Sequence, residues 1–152
     1  MRKVVVAMLA LLGLDALVGG TPGTLVAQQA VAGPIPPGRV AFGVGFDAAT
    51  GTMDGSTSTF SPAAHLSWAA HFLHPIGHTT LVRLILRETR AGRSVLLTAA
   101  PIAVRGPVDG VWEDHALAAW ERVFHAGAGI YTIRYVGRGV VLARGSFTLA
   151  PP

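Results

Sequence analysis

The sequence contains no cysteine in 152 residues. No disulfide can brace the fold, no thiolate can hold zinc, no lipid can be carried on an N-terminal Cys, and no thiol nucleophile exists. Asparagine is also absent; lysine occurs only at Lys3 and glutamine only at Gln28 and Gln29. A shortage of thermolabile side chains fits a heat-tolerant source, and a GC-rich coding sequence would leave the same bias. Neither G-x-S-x-G, H-E-x-x-H nor a Gly-rich phosphate loop is present, and Gly43-x-Gly45 sits in a strand pattern that leads into no helix. The turn between Asp47 and Asp54 holds too few oxygens for a calcium loop and reads as turn chemistry. These absences point away from an enzyme and from a resident cofactor.

The N-terminus reads as an export signal. Arg2 and Lys3 form a basic region, residues 4–14 are apolar, and small residues follow. Cleavage fits after Ala27 or after Ala32, making residues 1–32 a signal peptide. The run is short for a membrane span and Asp15 would fall inside a longer one, so an uncleaved anchor is the lesser reading. The mature protein is expected outside the cytoplasm: secreted, periplasmic or on the cell surface. Residues 33–38 (GPIPPG) form a Pro/Gly tether. Residues 39–150 make one domain with enough chain for a real core.

Beyond residue 32, ten arginines oppose seven acids, a net charge of +3. That suits a preference for anionic surfaces but is too small to indicate nucleic acid.

Alternation dominates the domain. Val40, Phe42, Val44 and Phe46 share one face of a strand. Residues 47–56 are turn-rich, and residues 57–60 form a short edge strand before Pro62. Leu66, Trp68, Ala70 and Phe72 point one way, with Ser67, Ala69 and His71 opposite. In residues 80–88 the expected inward set is Val82, Leu84 and Leu86, leaving Arg83, Ile85 and Arg87 outward. Residues 90–93 turn the chain into residues 94–98. Pro101 and Pro107 bracket an irregular stretch. Trp112, Ala116, Ala119/Trp120 and Val123 then recur at three-to-four spacing, with Asp109 as N-cap and Gly127 past the end. A helix over about 110–126 is expected, with Trp112 and Trp120 in its buried stripe; a mixed loop with one helical turn is the alternative. A hairpin closes the chain. Tyr131, Ile133 and Tyr135 share one face, Thr132 and Arg134 the other. After residues 137–139, Val141, Ala143, Phe147 and Leu149 align, with Gly145 among them as a possible bulge site.

About seven short alternating strands argue a β-sandwich. The segment Gly127-Ala128-Gly129-Ile130-Tyr131-Thr132-Ile133 resembles the tyrosine corner of immunoglobulin-like domains. In that family a Tyr near the start of the penultimate strand bonds back to nearby backbone. Ile133 stands at the position that is Cys in antibodies, so the resemblance implies aliphatic packing where they have a disulfide. Trp68 falls a strand early for their core Trp. Residues 39–149 also resemble small secreted bacterial domains ending in G-x-Y-x-x-R-Y … L-A-x-G-x-F-x-L, here Gly129, Tyr131, Arg134, Tyr135, Leu142, Ala143, Gly145, Phe147 and Leu149. The resemblance implies a mainly β, immunoglobulin-like antiparallel sandwich and no activity; the helix expected from the spacing over about 110–126 departs from that pattern and would add one helical connection.

Three groups carry candidate chemistry. His71, His74 and His78, with His65 upstream, have the residue type for copper or zinc, although a strand-and-turn spacing splits them between faces. Glu113, Asp114, His115 and Glu121 read as the solvated side of the helix rather than an acid–base pair across a cleft. The arginines are the favoured group. If residues 80–88, 130–136 and 140–149 lie side by side, Arg83, Arg87, Arg134 and Arg144 form a row with Arg138 at the hairpin tip. Guanidinium forks suit carboxylates and phosphates, so the expected partner is an anionic polysaccharide, a lipid headgroup or an acidic protein surface. Outward positions of a secreted sheet must also simply be polar.

Overall fold

The computed structural model describes residues 35–117 and 127–151. The leader reading and the later part of the expected helix, including Trp120 and Glu121, lie outside them. The described residues are mainly β, with ten strands among them: β1 (Arg39–Gly43), β2 (Gly45–Asp47), β3 (Thr52–Asp54), β4 (Thr59–Phe60), β5 (His65–Ile76), β6 (Thr79–Glu88), β7 (Ser94–Val104), β8 (Val108–Ala116), β9 (Gly129–Gly137) and β10 (Val140–Leu149).

Seven strands run β7-β6-β9-β10-β1-β5-β8 in one curled sheet, with β4 paired to β10. Among the described residues, β1–β10 and β4–β10 pair in parallel and the other pairs are antiparallel. β1 joins the two halves: it pairs with β10 through Arg39 and Arg144, then along its length with β5. The curl brings β6-β9-β10 over β1-β5-β8, and the enclosed side chains form the core.

Alternation explains who enters that core. Leu66, Trp68, Ala70 and Phe72 of β5 are buried, as are Tyr131, Ile133 and Tyr135 of β9 and Phe147 and Leu149 of β10. Phe42 packs against Phe147 at 5.2 Å between ring centroids, and Tyr131 stacks on Phe147 at 5.4 Å. Ile133 faces Ile85 and Gly145 in register. Gly145 is required there, because a Cβ would lie 2.4 Å from the Val40 carbonyl oxygen, where β1 and β10 touch. The β9–β10 turn uses Arg138 and Gly139, both at positive φ (50° and 79°), as a two-residue primed hairpin needs.

The tyrosine corner is present: Tyr131 OH donates to the Gly127 carbonyl oxygen at 2.6 Å. Tyr131→Phe should cost about 1 kcal/mol and lower the melting temperature by several degrees. An unchanged midpoint in thermal unfolding would remove the bond from the account of stability.

Four expectations are corrected. Residues 110–116 are strand, part of β8, not helix; the pairing of Glu113 with Trp68 and of His115 with Leu66 draws them into the sheet. No helical connection is seen among the described residues. β6 has the opposite phase: Leu81 and Ile85 are buried and Arg83 points in with them, while Val82, Leu84 and Leu86 lie half-buried on the outer face. Apolar residues occupy both faces of β6, so alternation alone did not fix its phase. Val44 is 50% exposed because β1 ends at Gly43, and Phe46 belongs to the β2–β3 hairpin. The irregularity in β10 falls between Val141 and Ala143, not at Gly145.

The β2–β3 hairpin covers the outer face of β1-β5-β8. Phe46 and Met53 pack with Ile35, Ala41, Ala69 and Trp112. Trp112 is therefore half-buried on a strand, 5.4 Å from the Phe46 ring, rather than inside a helix stripe. Asp47 closes the hairpin: its carboxylate accepts from Thr50 Oγ1 at 2.8 Å and from the Ala49 amide at 2.8 Å, bonds that hold its pKa below the ordinary value.

Candidate functional site

Register decides which arginines meet. Arg134 of β9 is the cross-strand partner of Arg144 of β10, and Arg144 is the partner of Arg39 of β1. Paired residues share a sheet face, so three arginines stand on one face of three adjacent strands, whose axes lie about 4.8 Å apart. The row continues to His71 of β5, opposite Arg39, whose Nδ1 donates to the Ile35 carbonyl oxygen at 2.7 Å. Beside the row, Thr132 and Ser146 hydroxyls meet at 2.8 Å.

Arg39 and Arg144 are exposed and Arg134 is half-buried. The Nε of Arg134 is buried and has no hydrogen-bond partner among the described residues. No acid pairs with any member of the row among the described residues; the carboxylate contacts found there are the Arg83–Glu113 ion pair and the imidazole contacts His65–Asp114 and His115–Glu113. Like charges directly opposite one another are destabilising, and an anion laid across them would offset that repulsion.

The expected row is thus only partly present. Arg134 and Arg144 hold the places foreseen for them, and Arg39 joins them. Arg87 instead donates from Nη2 to the Ala128 carbonyl oxygen at 2.9 Å, with its Cζ 5.8 Å from the Tyr131 ring centroid, bracing the corner. Arg138 is exposed at the hairpin tip. Arg83 turns inward. Arg39 escaped notice because a single parallel bridge between the first and last long strands brings it in, and no local pattern announces such a contact.

Arg83 belongs to a buried polar network. Its Nη1 donates to Glu113 Oε2 in a close ion pair, both side chains being almost out of solvent. Tyr135 OH donates to Glu113 Oε1 at 2.6 Å and accepts from Trp68 Nε1 at 2.8 Å. The His115 ring stacks on Trp68 at 4.3 Å, with Nε2 3.4 Å from Glu113 Oε2. Burial, then the Arg83 charge, pushes the His115 pKa down to about 4, so the ring is neutral at pH 7. Burial raises the Tyr135 phenol to about 12 and draws Arg83 below its ordinary value. The expectation of a solvated acidic face is corrected for Glu113 and His115, which are core residues. Asp114 lies on the opposite face, where it accepts from Ser67 Oγ and contacts His65 Nε2 at 2.5 Å.

The histidines do not assemble. His71 is held by Ile35, His74 lies at the end of β5 with Nδ1 3.3 Å from the Pro75 carbonyl oxygen, and His78 sits in the β5–β6 connection at φ 29°. Among the described residues no three His, Asp or Glu side chains converge as metal ligands would.

The chain matches no protein-family model and no curated protein. Among solved structures it is similar to an immunoglobulin-like protein from Pseudomonas aeruginosa, at 15% identity and TM-score 0.45 over 74% of this chain and 93% of that one. A fainter likeness is to an alkylpurine DNA glycosylase from Pseudomonas fluorescens bound to DNA, at 10% identity and TM-score 0.32 over 60% of this chain and 27% of that one.

Proposed function

We propose that this chain is an exported, non-enzymatic binding domain, an immunoglobulin-like sandwich that docks an anionic partner on the outer face of β9-β10-β1 at the cell envelope or outside the cell. One observation carries the reading: Arg39, Arg144 and Arg134 stand in cross-strand register without a neutralising acid among the described residues. A ligand of opposite charge laid across these side chains would resolve their mutual repulsion. The basic and apolar leader supports the location. The cysteine-free composition suits a binding module held by packing alone.

The protein should bind an immobilised sulfated polymer at low salt and release it as ionic strength rises and screening shortens the reach of the row. The double variant Arg134→Ala/Arg144→Ala should weaken binding about tenfold without lowering thermal stability, since it relieves the repulsion across the strand pair. Binding that ignores salt, or that the double variant leaves intact, would reject this face as the docking surface.

A further inference from the structure

β1 and β10 touch at Arg39 and Arg144 and then diverge, because β10 goes on to pair with β4. The gap is an open groove of about 490 Å³. Arg39 and Arg144 line it together with Ser56, Thr57, Ser58 and Ser146. Its floor is backbone at Gly145, where no side chain fits under the Val40 carbonyl. We propose that this groove seats a carboxylate-bearing sugar, and that the ligand is an acidic polysaccharide lying across the strands so that successive carboxylates meet Arg39, Arg144 and Arg134. The proposal rests on the anionic-partner reading and narrows it to one class.

Three features favour a polyuronate over other anions. The arginines stand one to a strand on three adjacent strands, so a polymer with one carboxylate per residue can offer each of them a charge in a way that the irregular charges of an acidic protein do not. Guanidinium forks take carboxylates in paired hydrogen bonds. The remaining polar groups of the lining are neutral hydroxyls, which can exchange hydrogen bonds with sugar hydroxyls on either side of the charge. A bilayer presents a plane, and its headgroups would meet the rim without entering the cleft.

The test uses the full chain and defined probes: tri-galacturonate, galacturonate monomer, polygalacturonate with its carboxyls reduced to alcohols, and vesicles of phosphatidylglycerol. Trimer should bind at least tenfold more tightly than monomer, raise the melting temperature, and fail to bind Arg39→Ala or Arg144→Ala, while Arg93→Ala at the exposed β6–β7 turn binds as wild type. The carboxyl-reduced polymer should not bind. Loss of binding in Arg93→Ala as well, or equal affinity for trimer and monomer, would overturn the groove. Vesicle or sulfated-polymer binding through Arg134 and Arg144 without uronate binding would overturn the polysaccharide assignment and leave the anionic-partner reading standing; no binding to any anion would remove both.

Discussion

Replacing Glu113 by Gln should destabilise the protein by about 3–5 kcal/mol, the cost of leaving a buried cation without its counter-charge. Arg83 has no other acid in ion-pair contact among the described residues, and its side chain is only 13% exposed. Its long stem cannot carry the charge to water without abandoning the packing between Trp68 and Tyr135. Gln keeps an oxygen for the Tyr135 hydroxyl, so the loss isolates the charge. Removing both charges together, in Arg83→Met/Glu113→Gln, should recover most of the stability, because a neutral pair has no desolvation penalty to offset. Urea unfolding at pH 7.5 of the two variants and the parent decides the matter. A single variant within about 1 kcal/mol of wild type would show that the pair is effectively solvated.

Stability should fall by about 3 kcal/mol as pH drops from 7 to 4, through His115 alone. An unfolded histidine takes up a proton near pH 6.5, whereas the native ring, buried against Trp68 beside the Arg83 cation, takes it up only near pH 4. Between those values the unfolded state binds more protons, so acid favours unfolding; below pH 4 both states are protonated and this group contributes no further slope. Asp114 acts in the opposite direction on the ring and His65 in the same direction as Arg83, and both effects are smaller. His115→Phe preserves a ring on Trp68 and should flatten the profile between pH 4 and 6.5. A parent profile that is already flat there would mean the ring is protonated within the fold.

The same network marks where the sequence stopped being legible. Strands whose two faces differ in polarity were readable residue by residue: β5 with Leu66, Trp68, Ala70 and Phe72 inward, and β9 with Tyr131, Ile133 and Tyr135. The Tyr131 corner was readable because its chemistry is local, four residues from donor to acceptor. Arg83, Glu113 and His115 each break the alternation of their own strand. They are acceptable in the core only because the curl brings them together, and that is a property of pairs far apart in the chain. Reading each as solvent-facing reversed β6 and turned β8 into a helix. The basic row was half legible for a related reason: a hairpin fixes Arg134 against Arg144, but the bridge to Arg39 closes over the whole length of the domain.

Ile133, packed between Ile85 and Gly145 in an interior without cysteine, has a consequence for biogenesis. Nothing in this interior awaits an oxidant, so the polypeptide can reach its native state as readily in a reducing compartment as in an oxidising one. Closing the curled sheet instead requires β1 to meet β10, a contact between strands about a hundred residues apart. Redox conditions have no say in it.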